Sequence, residues 1–296
     1  LYHKVQYVPA GGPIGQGRNS GSNDDEGGLE MSGKKRKSLL LMITVLVMTV
    51  LLGMTAMAAD SKLVTMKREK NKDGSYSYTA YGECSSGDMI YHKIEVPTSG
   101  YLLVTAQGYS SNGSTKYSVY TTLLNSQSKV YQPRANLTVD IDKEKYAVYG
   151  LKKGTYYVCI KTVGEVFGTA AVLKPHANQS GSTKAKATSF ASKKWIKGLF
   201  APSDSLTKSE WFKMKVTKNG YKMRIDYDVA GCGTLDMTVY GPGFSSSGSK
   251  VSGVNGTSYL LTKNAVNKGT YYVRVRKNSA YKMGSAAYRL KWKLVS

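Results

Sequence analysis

The chain has 296 residues and carries 42 Lys and Arg against 19 Asp and Glu, a formal net charge of +23. Its 23 Tyr and 31 Gly beside only 7 Pro favour many short strands, because aromatic side chains suit a pleated, half-buried surface, and they exclude collagen, coiled coils and multi-span membrane proteins. With three His and sparse acidic residues, the composition also argues against most enzyme classes.

Residues 31–59 have the pattern of a bacterial export signal. Four consecutive basic residues precede an apolar run at 39–52, and residues 56–59 read Ala-Met-Ala-Ala. A basic segment, an apolar core and a small-x-small site are the features that signal peptidase recognises. We therefore expect an N-terminal signal helix, cleavage after residue 58 or 59, and a secreted or cell-surface-associated bacterial protein. Retention as an anchor is the alternative, because the apolar stretch is nearly long enough to span a bilayer.

The segment before this signal, residues 1–30, is Gly-rich and shows no periodicity. It ends near Glu26-Gly27-Gly28, which a purine-rich codon run resembling a bacterial ribosome-binding site can encode, and Met31 follows at a suitable distance. We expect residues 1–30 to be an untranslated leader read as protein, disordered, with Met31 as the true start. N-terminal sequencing of the natural precursor tests this start, and residues upstream of Met31 would contradict it.

Three cysteines, Cys84, Cys159 and Cys232, follow the signal. An odd number leaves one thiol free or paired between chains, and Cys84–Cys159 is the only pairing open to the first half of the chain. Their wide spacing matches no metal-ligand pattern. We therefore expect all three cysteines to be small, partly buried side chains without a role in metal binding.

An internal repeat is the strongest structural signal. The run Tyr-His-Lys-Ile-Glu-Val at 91–96 recurs as Trp-Phe-Lys-Met-Lys-Val at 211–216, an offset of 120 residues. The run Lys-Gly-Thr-Tyr-Tyr-Val at 153–158 recurs unchanged at 268–273, an offset of 115 residues. Because these repeated runs occur in the same order and at nearly the same offset, they predict the duplication of a domain of ordinary size.

The repeat defines two modules and the segment between them. We expect module 1 at residues 60–175, module 2 at 186–296, and a short flexible linker, rich in small and polar residues, at 176–185. Residues 60–175 carry 15 basic and 10 acidic residues, whereas residues 193–296 carry 19 and 5. Module 2 therefore supplies most of the positive field.

Each module is predicted to be built from strands. In 214–216 and 271–275, apolar residues alternate with Lys, Arg or Tyr, which places one set inward and the other outward. Turn residues such as Asn-Gly separate these runs, and no amphipathic helix follows the signal. Strands without covering helices must bury their inner faces against each other. We therefore expect an all-β fold of two tandem, jelly-roll-like antiparallel β-sandwich domains behind the signal helix.

Three stretches of module 2, at 186–200, 209–216 and 268–275, resemble the bacterial pre-peptidase C-terminal domain. The family has a small-residue opening, an acidic-aromatic-aromatic strand and a late strand similar to Gly-Thr-Tyr-Tyr-Val-Arg-Val; module 1 fits more loosely. The resemblance implies a jelly-roll-like sandwich of secreted bacterial proteins, often appended to peptidases, with some members that bind collagen or other polymers. Glu210 stands where Asp is usual, and no acidic cluster opens either module, which argues against calcium binding. A turn or capping hydrogen bond is the expected role of Glu210.

Few residues suit catalysis. His92 is expected at the surface of a strand and His176 in the linker, and neither belongs to a nucleophile or zinc pattern. Asp226 and Asp228, like the acidic residues within 140–144, alternate with apolar or basic residues, which indicates solvated strand faces in place of calcium or glycosidase sites. We therefore expect no enzyme, no metal and no cofactor.

The remaining candidate is a surface. If residues 271, 273 and 275 point inward, then Tyr272, Arg274 and Arg276 form an outward stripe. The matching stripe of module 1 consists of Tyr157, Cys159 and Lys161. An aromatic ring beside basic groups can stack on a sugar or a peptide while the cations hold an anionic polymer.

These observations predict a secreted, non-catalytic, two-module protein that binds an extracellular polysaccharide, a cell-wall polymer or a matrix protein through β-sandwich faces. Export argues against a nucleic-acid partner, and no stable membrane insertion is expected after signal cleavage. Two alternatives stay open. One is a structural or accessory spacer with no tight ligand, and the other is a secreted hydrolase with an unrecognised site.

Overall fold

The computed structural model describes residues 5–7, 63–83, 85, 89–109, 116–117, 119–124, 135–137, 147–161, 166–281 and 284–296. The predicted signal at 31–59, the acidic residues within 140–144 and Cys84 lie outside these residues. The described chain is all-β, as predicted, with one short 3-10 turn at Ser279–Tyr281. Among the described residues, no helix is long and apolar enough to cross a membrane.

The strands are, in chain order, β1 (Val5–Tyr7), β2 (Leu63–Thr65), β3 (Lys67–Lys70), β4 (Tyr76–Glu83), β5 (Met89–Val96), β6 (Gly100–Tyr109), β7 (Lys116–Tyr117), β8 (Val119–Leu124), β9 (Ala135–Leu137), β10 (Ala147–Leu151), β11 (Gly154–Lys161), β12 (Val166–Pro175), β13 (Thr188–Ser189), β14 (Ile196–Phe200), β15 (Glu210–Val216), β16 (Lys222–Cys232), β17 (Leu235–Tyr240), β18 (Ser249–Val254), β19 (Gly256–Thr262), β20 (Gly269–Lys277) and β21 (Ser285–Val295).

Module 1 has two sheets that share one core. The first has the strand order β10-β6-β12-β4-β3 and the second β2-β5-β11-β8-β9. Alternate residues of β5 and β11 point into the space between the sheets, because side chains of a strand alternate between its faces. The core includes the buried side chains Tyr78, Ile94, Leu102, Tyr149, Val158 and Ile160.

Module 2 repeats this arrangement. Its sheets have the orders β1-β19-β16-β21-β14 and β13-β15-β20-β17-β18. Each copy contains a central antiparallel triplet, β5-β11-β8 in module 1 and β15-β20-β17 in module 2, with a short parallel strand at one edge. The core includes the buried side chains Phe200, Phe212, Met214, Tyr227, Tyr271 and Trp292. The equivalent strand orders agree with the duplication predicted from the repeat.

The two modules pack directly against each other, with β10 lying over β16 and β21. A Cβ added to Gly150 would lie 2.8 Å from the carbonyl carbon of Ala286, so the two backbones are in contact. The Gly150 N–H donates a hydrogen bond of 3.0 Å to Ser285 Oγ. A small apolar cluster fills the junction: Tyr101, Leu103, Leu199 and Ala287. The modules therefore share an interface in which small residues permit close backbone approach.

Residues 176–185, predicted as a flexible linker, are held against module 2. His176 is 2% exposed, and its Nε2 lies 3.0 Å from each of two carbonyl oxygens of module 2. Gly181 exchanges two backbone hydrogen bonds with Trp211. The prediction of flexibility is wrong here, because a small and polar composition does not reveal which backbone partners the folded chain provides.

One part of the predicted leader is also ordered. Strand β1 pairs antiparallel with β19, with Val5 opposite Thr262 and Tyr7 opposite Leu260. The prediction of disorder for residues 1–30 is therefore wrong at this strand, since a sheet edge offers unpaired backbone groups that an extended segment can satisfy. The other residues of this segment lie outside the described part.

Candidate functional site

The outward stripe predicted on β20 is present. Tyr271, Val273 and Val275 are fully buried in the core, while Tyr272, Arg274 and Arg276 are half-buried on the opposite face of the strand. Thus the alternation read from the sequence places these side chains correctly. It does not show which residues stand beside them, because that depends on the pairing of β20 with its neighbours.

Strand pairing brings two further aromatic rings to the stripe. Trp211 on β15 lies opposite Arg274, and Tyr240 on β17 lies opposite Tyr272. The Trp211 and Tyr240 ring centroids are 5.5 Å apart with planes inclined by 30°. The Arg274 guanidinium carbon lies 5.6 Å from the Trp211 centroid and 5.5 Å from that of Tyr240, within cation–π range.

Lys184 completes the group from the segment between the modules. Its Nζ lies 5.3 Å from the Tyr240 centroid and 5.1 Å from that of Tyr272. We call Lys184, Trp211, Tyr240, Tyr272 and Arg274 the Trp211 face. Three rings and two cations thus share one side of the outer sheet of module 2.

The two arginines of the predicted stripe, Arg274 and Arg276, differ in their hydrogen-bond partners. Within the described residues, Arg274 forms no ion pair; its Nη2 donates to Thr238 Oγ1 at 3.5 Å, and its buried Nε has no hydrogen-bond acceptor. Arg276, the last residue of the predicted stripe, donates from Nη2 to the Leu206 carbonyl oxygen at 3.2 Å. Arg276 therefore holds a neighbouring loop, whereas Arg274 keeps uncancelled charge beside the rings.

A cleft of about 530 Å³ opens next to this face. Its lining includes the Trp211 ring and two cations, Lys184 and Lys208. The other lining side chains are polar and mostly carry hydroxyl groups: Asn178, Ser180, Ser182, Thr183, Ser205, Thr207 and Ser209. Hydroxyls both donate and accept hydrogen bonds, so the cleft offers many small polar partners beside one large ring.

Beneath the cleft lies an ion-pair cluster built around Glu210, which is 1% exposed. Asn178 Nδ2 and Lys208 Nζ donate to Glu210 Oε1 at 2.7 and 2.8 Å, and the Tyr288 hydroxyl donates to Oε2 at 2.6 Å. Burial lowers the pKa of Lys208, but Glu210 and Asp204 outweigh it and raise that pKa above its ordinary value. The predicted turn or cap role of Glu210 is wrong: its carboxylate is a buried, fully bonded anchor for the cleft wall.

His92, expected on the surface of its strand, is completely buried in module 1. Neither ring nitrogen has a hydrogen-bond partner among the described residues, and the ring packs edge-on against Phe167 at 5.3 Å between centroids. Burial lowers the pKa of His92 to about 4, so the ring is neutral at pH 7. The surface prediction is wrong, and His92 is a core residue.

Asp226 and Asp228 lie on the outer face of β16. The prediction that they are solvated is wrong, because arginine side chains bury them. Arg224 Nε lies 2.6 Å from Asp226 Oδ1, and Arg289 Nε lies 3.1 Å from Asp228 Oδ2. No group of three or more possible metal ligands occurs among the described residues. The two carboxylates therefore belong to ion pairs of the sheet surface.

The matching stripe of module 1 is different. Tyr157 is half-buried and outward on β11, as predicted, but Cys159 is a buried free thiol whose pKa burial raises to about 11. The Cys84–Cys159 disulfide is therefore absent, and the Lys161 and Cys232 side chains lie outside the described part. Tyr91 occupies the position equivalent to Trp211 and faces a thiol where module 2 has Arg274. The aromatic and basic cluster is thus a feature of module 2.

Comparison with known proteins names no family: no family model and no curated protein matches the chain. Among solved structures, the CUB1-EGF-CUB2 domains of rat MASP-1 are 9% identical over 78% of this chain and 99% of that one, with a TM-score of 0.24. Tripeptidyl peptidase 2 is 10% identical over 78% of this chain and 24% of its own, with a TM-score of 0.29. Xanthan lyase from Paenibacillus is 13% identical over 77% and 25%, with a TM-score of 0.25. Likeness this low carries no argument about function, and the pre-peptidase C-terminal resemblance stays a prediction.

Proposed function

We propose that this chain is an exported, non-catalytic, bacterial two-module protein that binds an extracellular glycan polymer through the Trp211 face of module 2. The observation that carries the proposal is the junction of an aromatic cluster with a hydroxyl-lined cleft. Trp211 belongs to both, so a sugar stacked on its ring would have its hydroxyl groups beside the cleft wall.

The aromatic part supplies the apolar contact. Sugar rings have flat C–H faces, and large aromatic side chains gain affinity by covering such surfaces. The Trp211 ring is inclined to Tyr240 by 30°, and Tyr272 stands opposite Tyr240 in the sheet. Rings carried on paired strands lose little freedom on binding, because the sheet already holds them in place.

The polar part supplies orientation and a preference for acidic sugars. Arg274 and Lys184 lie above the rings, and neither is paired with a carboxylate among the described residues. A carboxylate or sulfate on the polymer would meet the half-buried Arg274, where attraction is screened less than at an open surface, and the exposed Lys184 beside it. Residues 193–296 carry 19 basic and 5 acidic residues, and this positive charge also favours an acidic polymer.

The histidines support a binding role over a catalytic one. A serine or cysteine nucleophile needs a base within hydrogen-bond reach, most often His. His92 is enclosed in the core of module 1, and His176 Nε2 is engaged with two backbone carbonyls at the module junction. Cys159, buried with a raised pKa, is a weak nucleophile.

The test is a screen of the protein against purified bacterial cell walls, mucin, heparin-like glycans and collagen, followed by calorimetric titration of the best ligand. The double variant Tyr272→Ala with Arg274→Ala should weaken binding about 30-fold, the loss expected for truncating an aromatic and basic anchor. Its melting temperature should change little, because both side chains lie on the outer face. Tyr157→Ala is the matched control, since Tyr157 holds the equivalent position in module 1.

Three outcomes would contradict the proposal. Equal losses in the double variant and in Tyr157→Ala would place the site elsewhere. No retention of the protein on any polymer at physiological salt would favour the spacer alternative, which the close packing of the two modules also suits. Turnover of esterase, glycosidase or peptidase substrates would instead revive the hydrolase alternative.

A further inference from the structure

A second basic surface lies on the other sheet of module 2. Strand β14 presents Lys197, which is opposite Arg289 of β21, and β16 presents Arg224, which is opposite Lys293 of β21. Lys291 stands between the two β21 residues on the same face. The turn before β14 adds Lys193 and Lys194, both exposed. We call these residues, together with Trp195, the Trp195 face.

Aromatic rings hold several of these cations in place. The Arg289 guanidinium carbon lies 4.2 Å from the Trp195 ring centroid, and Lys291 Nζ lies 4.5 Å from it. On the neighbouring edge, the Arg224 guanidinium carbon lies 4.0 Å from the Tyr259 centroid. Such contacts fix the charged ends of long side chains, so less conformational freedom is lost when an anion binds.

The acidic residues of this face balance only part of its positive charge. Asp226 and Asp228 bond to Arg224 and Arg289, and they are the acidic residues within the cluster. Seven cations against two carboxylates leave an excess of five positive charges on one side of the sheet. Lys193, Lys194 and Lys293 form no ion pair among the described residues. The face is therefore complementary to a strongly anionic partner.

Lys193 provides an independent observation. Its φ is 64°, the only positive φ at a non-glycine residue in the described chain, although a residue with a Cβ disfavours this conformation. The turn is held by a 2.7 Å hydrogen bond from the Lys193 N–H to the Trp292 carbonyl oxygen. Glycine would suit this position with less strain, which makes Lys193 a residue to test by substitution.

We propose that the Trp195 face is a second binding site, for a phosphodiester polymer of the bacterial envelope. The Cα atoms of Arg289, Lys291 and Lys293 follow one another on one side of β21 at intervals of about 7 Å, so their side chains form a row along which an extended polyanion can lie. Clustered ammonium groups bind phosphate as point charges, and on this face the arginines are held by Asp226 and Asp228, so the lysines are the groups left to meet the phosphates. The envelope location rests on the proposed function, but the site is independent of the Trp211 face, so the protein can hold two polymers at once.

The experiment measures binding of the full protein to poly(glycerol phosphate) across a salt series. Lys291→Gln with Lys293→Gln should weaken binding about 30-fold, fivefold for each lost cation. It should also reduce the slope of log affinity against log salt by about 1.4, because each phosphate contact on a single-stranded polyanion contributes about 0.7 to that slope. Lys215→Gln with Lys218→Gln removes the same charge from β15 of the other sheet and the turn that follows it, and should change affinity less than threefold.

Further arms separate this site from the Trp211 face and from generic attraction. Trp211→Ala should leave poly(glycerol phosphate) binding unchanged, so failure of the glycan proposal does not remove this one. Lys193→Gly should weaken binding without lowering the melting temperature. Equal losses in both lysine pairs, or equal affinity for poly(glycerol phosphate), polygalacturonate and single-stranded polythymidine at physiological salt, would overturn the proposal.

Discussion

Replacing His92 by Leu should make the protein less sensitive to acid. His92 is completely buried, and burial lowers its pKa to about 4 from 6.5. Between these values the unfolded chain binds a proton that the folded chain does not, so stability falls as pH drops from about 6.5 towards 4. With 1.36 kcal/mol per pKa unit, the loss is about 2 kcal/mol at pH 5 and about 3 kcal/mol below pH 4.

The measurement compares the unfolding free energy of module 1 in the wild type and His92→Leu at pH 8, 6 and 5. Leu has no titratable group, so the contribution of every other ionisable residue cancels in the difference between the two proteins. The loss of the edge contact with Phe167 is independent of pH. We expect the difference to shift by about 2 kcal/mol in favour of Leu from pH 8 to pH 5. Parallel stability curves would refute the burial of a neutral imidazole.

Three other substitutions or probes test the architecture. Gly150→Val should open the module junction at a cost of about 1 to 3 kcal/mol, seen as expansion in solution scattering, because its Cβ would lie 2.8 Å from the Ala286 backbone. Glu210→Gln should destabilise module 2 by about 3 kcal/mol in thermal unfolding, since it leaves the charge of Lys208 less compensated in a buried site. Cys159 should resist iodoacetamide in the folded protein and react after denaturation, as peptide mass spectrometry can show, because burial raises its pKa to about 11.

The sequence predicted the strands because their side chains alternate. On β20, Tyr272 and Arg274 are outward and the residues between them are buried, as the period of two requires. The same rule places His92 inward, on the same side of β5 as Ile94 and Val96. The surface prediction for His92 followed the polarity of its side chain. Its place in the alternation of β5, on the core side of the strand, determines its burial instead.

The site could be predicted only in part. Trp211 was visible in the repeated aromatic strand, but its contact with Tyr240 depends on the register of three strands. Lys184 reaches these rings from a segment whose composition resembles a linker. Asp226 lies on the predicted face, yet its burial comes from Arg224, whose side chain folds over it. Local patterns fix which face a residue occupies, whereas its neighbours come from the folding of distant segments.

The most direct test of the proposed function is retention of the full protein on purified bacterial cell walls at about 0.15 M salt, where the screening length is about 8 Å. The wild type and Trp211→Ala are compared side by side, with Tyr91→Ala as the equivalent change in module 1. We predict that the wild type and Tyr91→Ala are retained and that Trp211→Ala is washed off. Equal retention of all three proteins, or loss of all three, would contradict a glycan site at the Trp211 face.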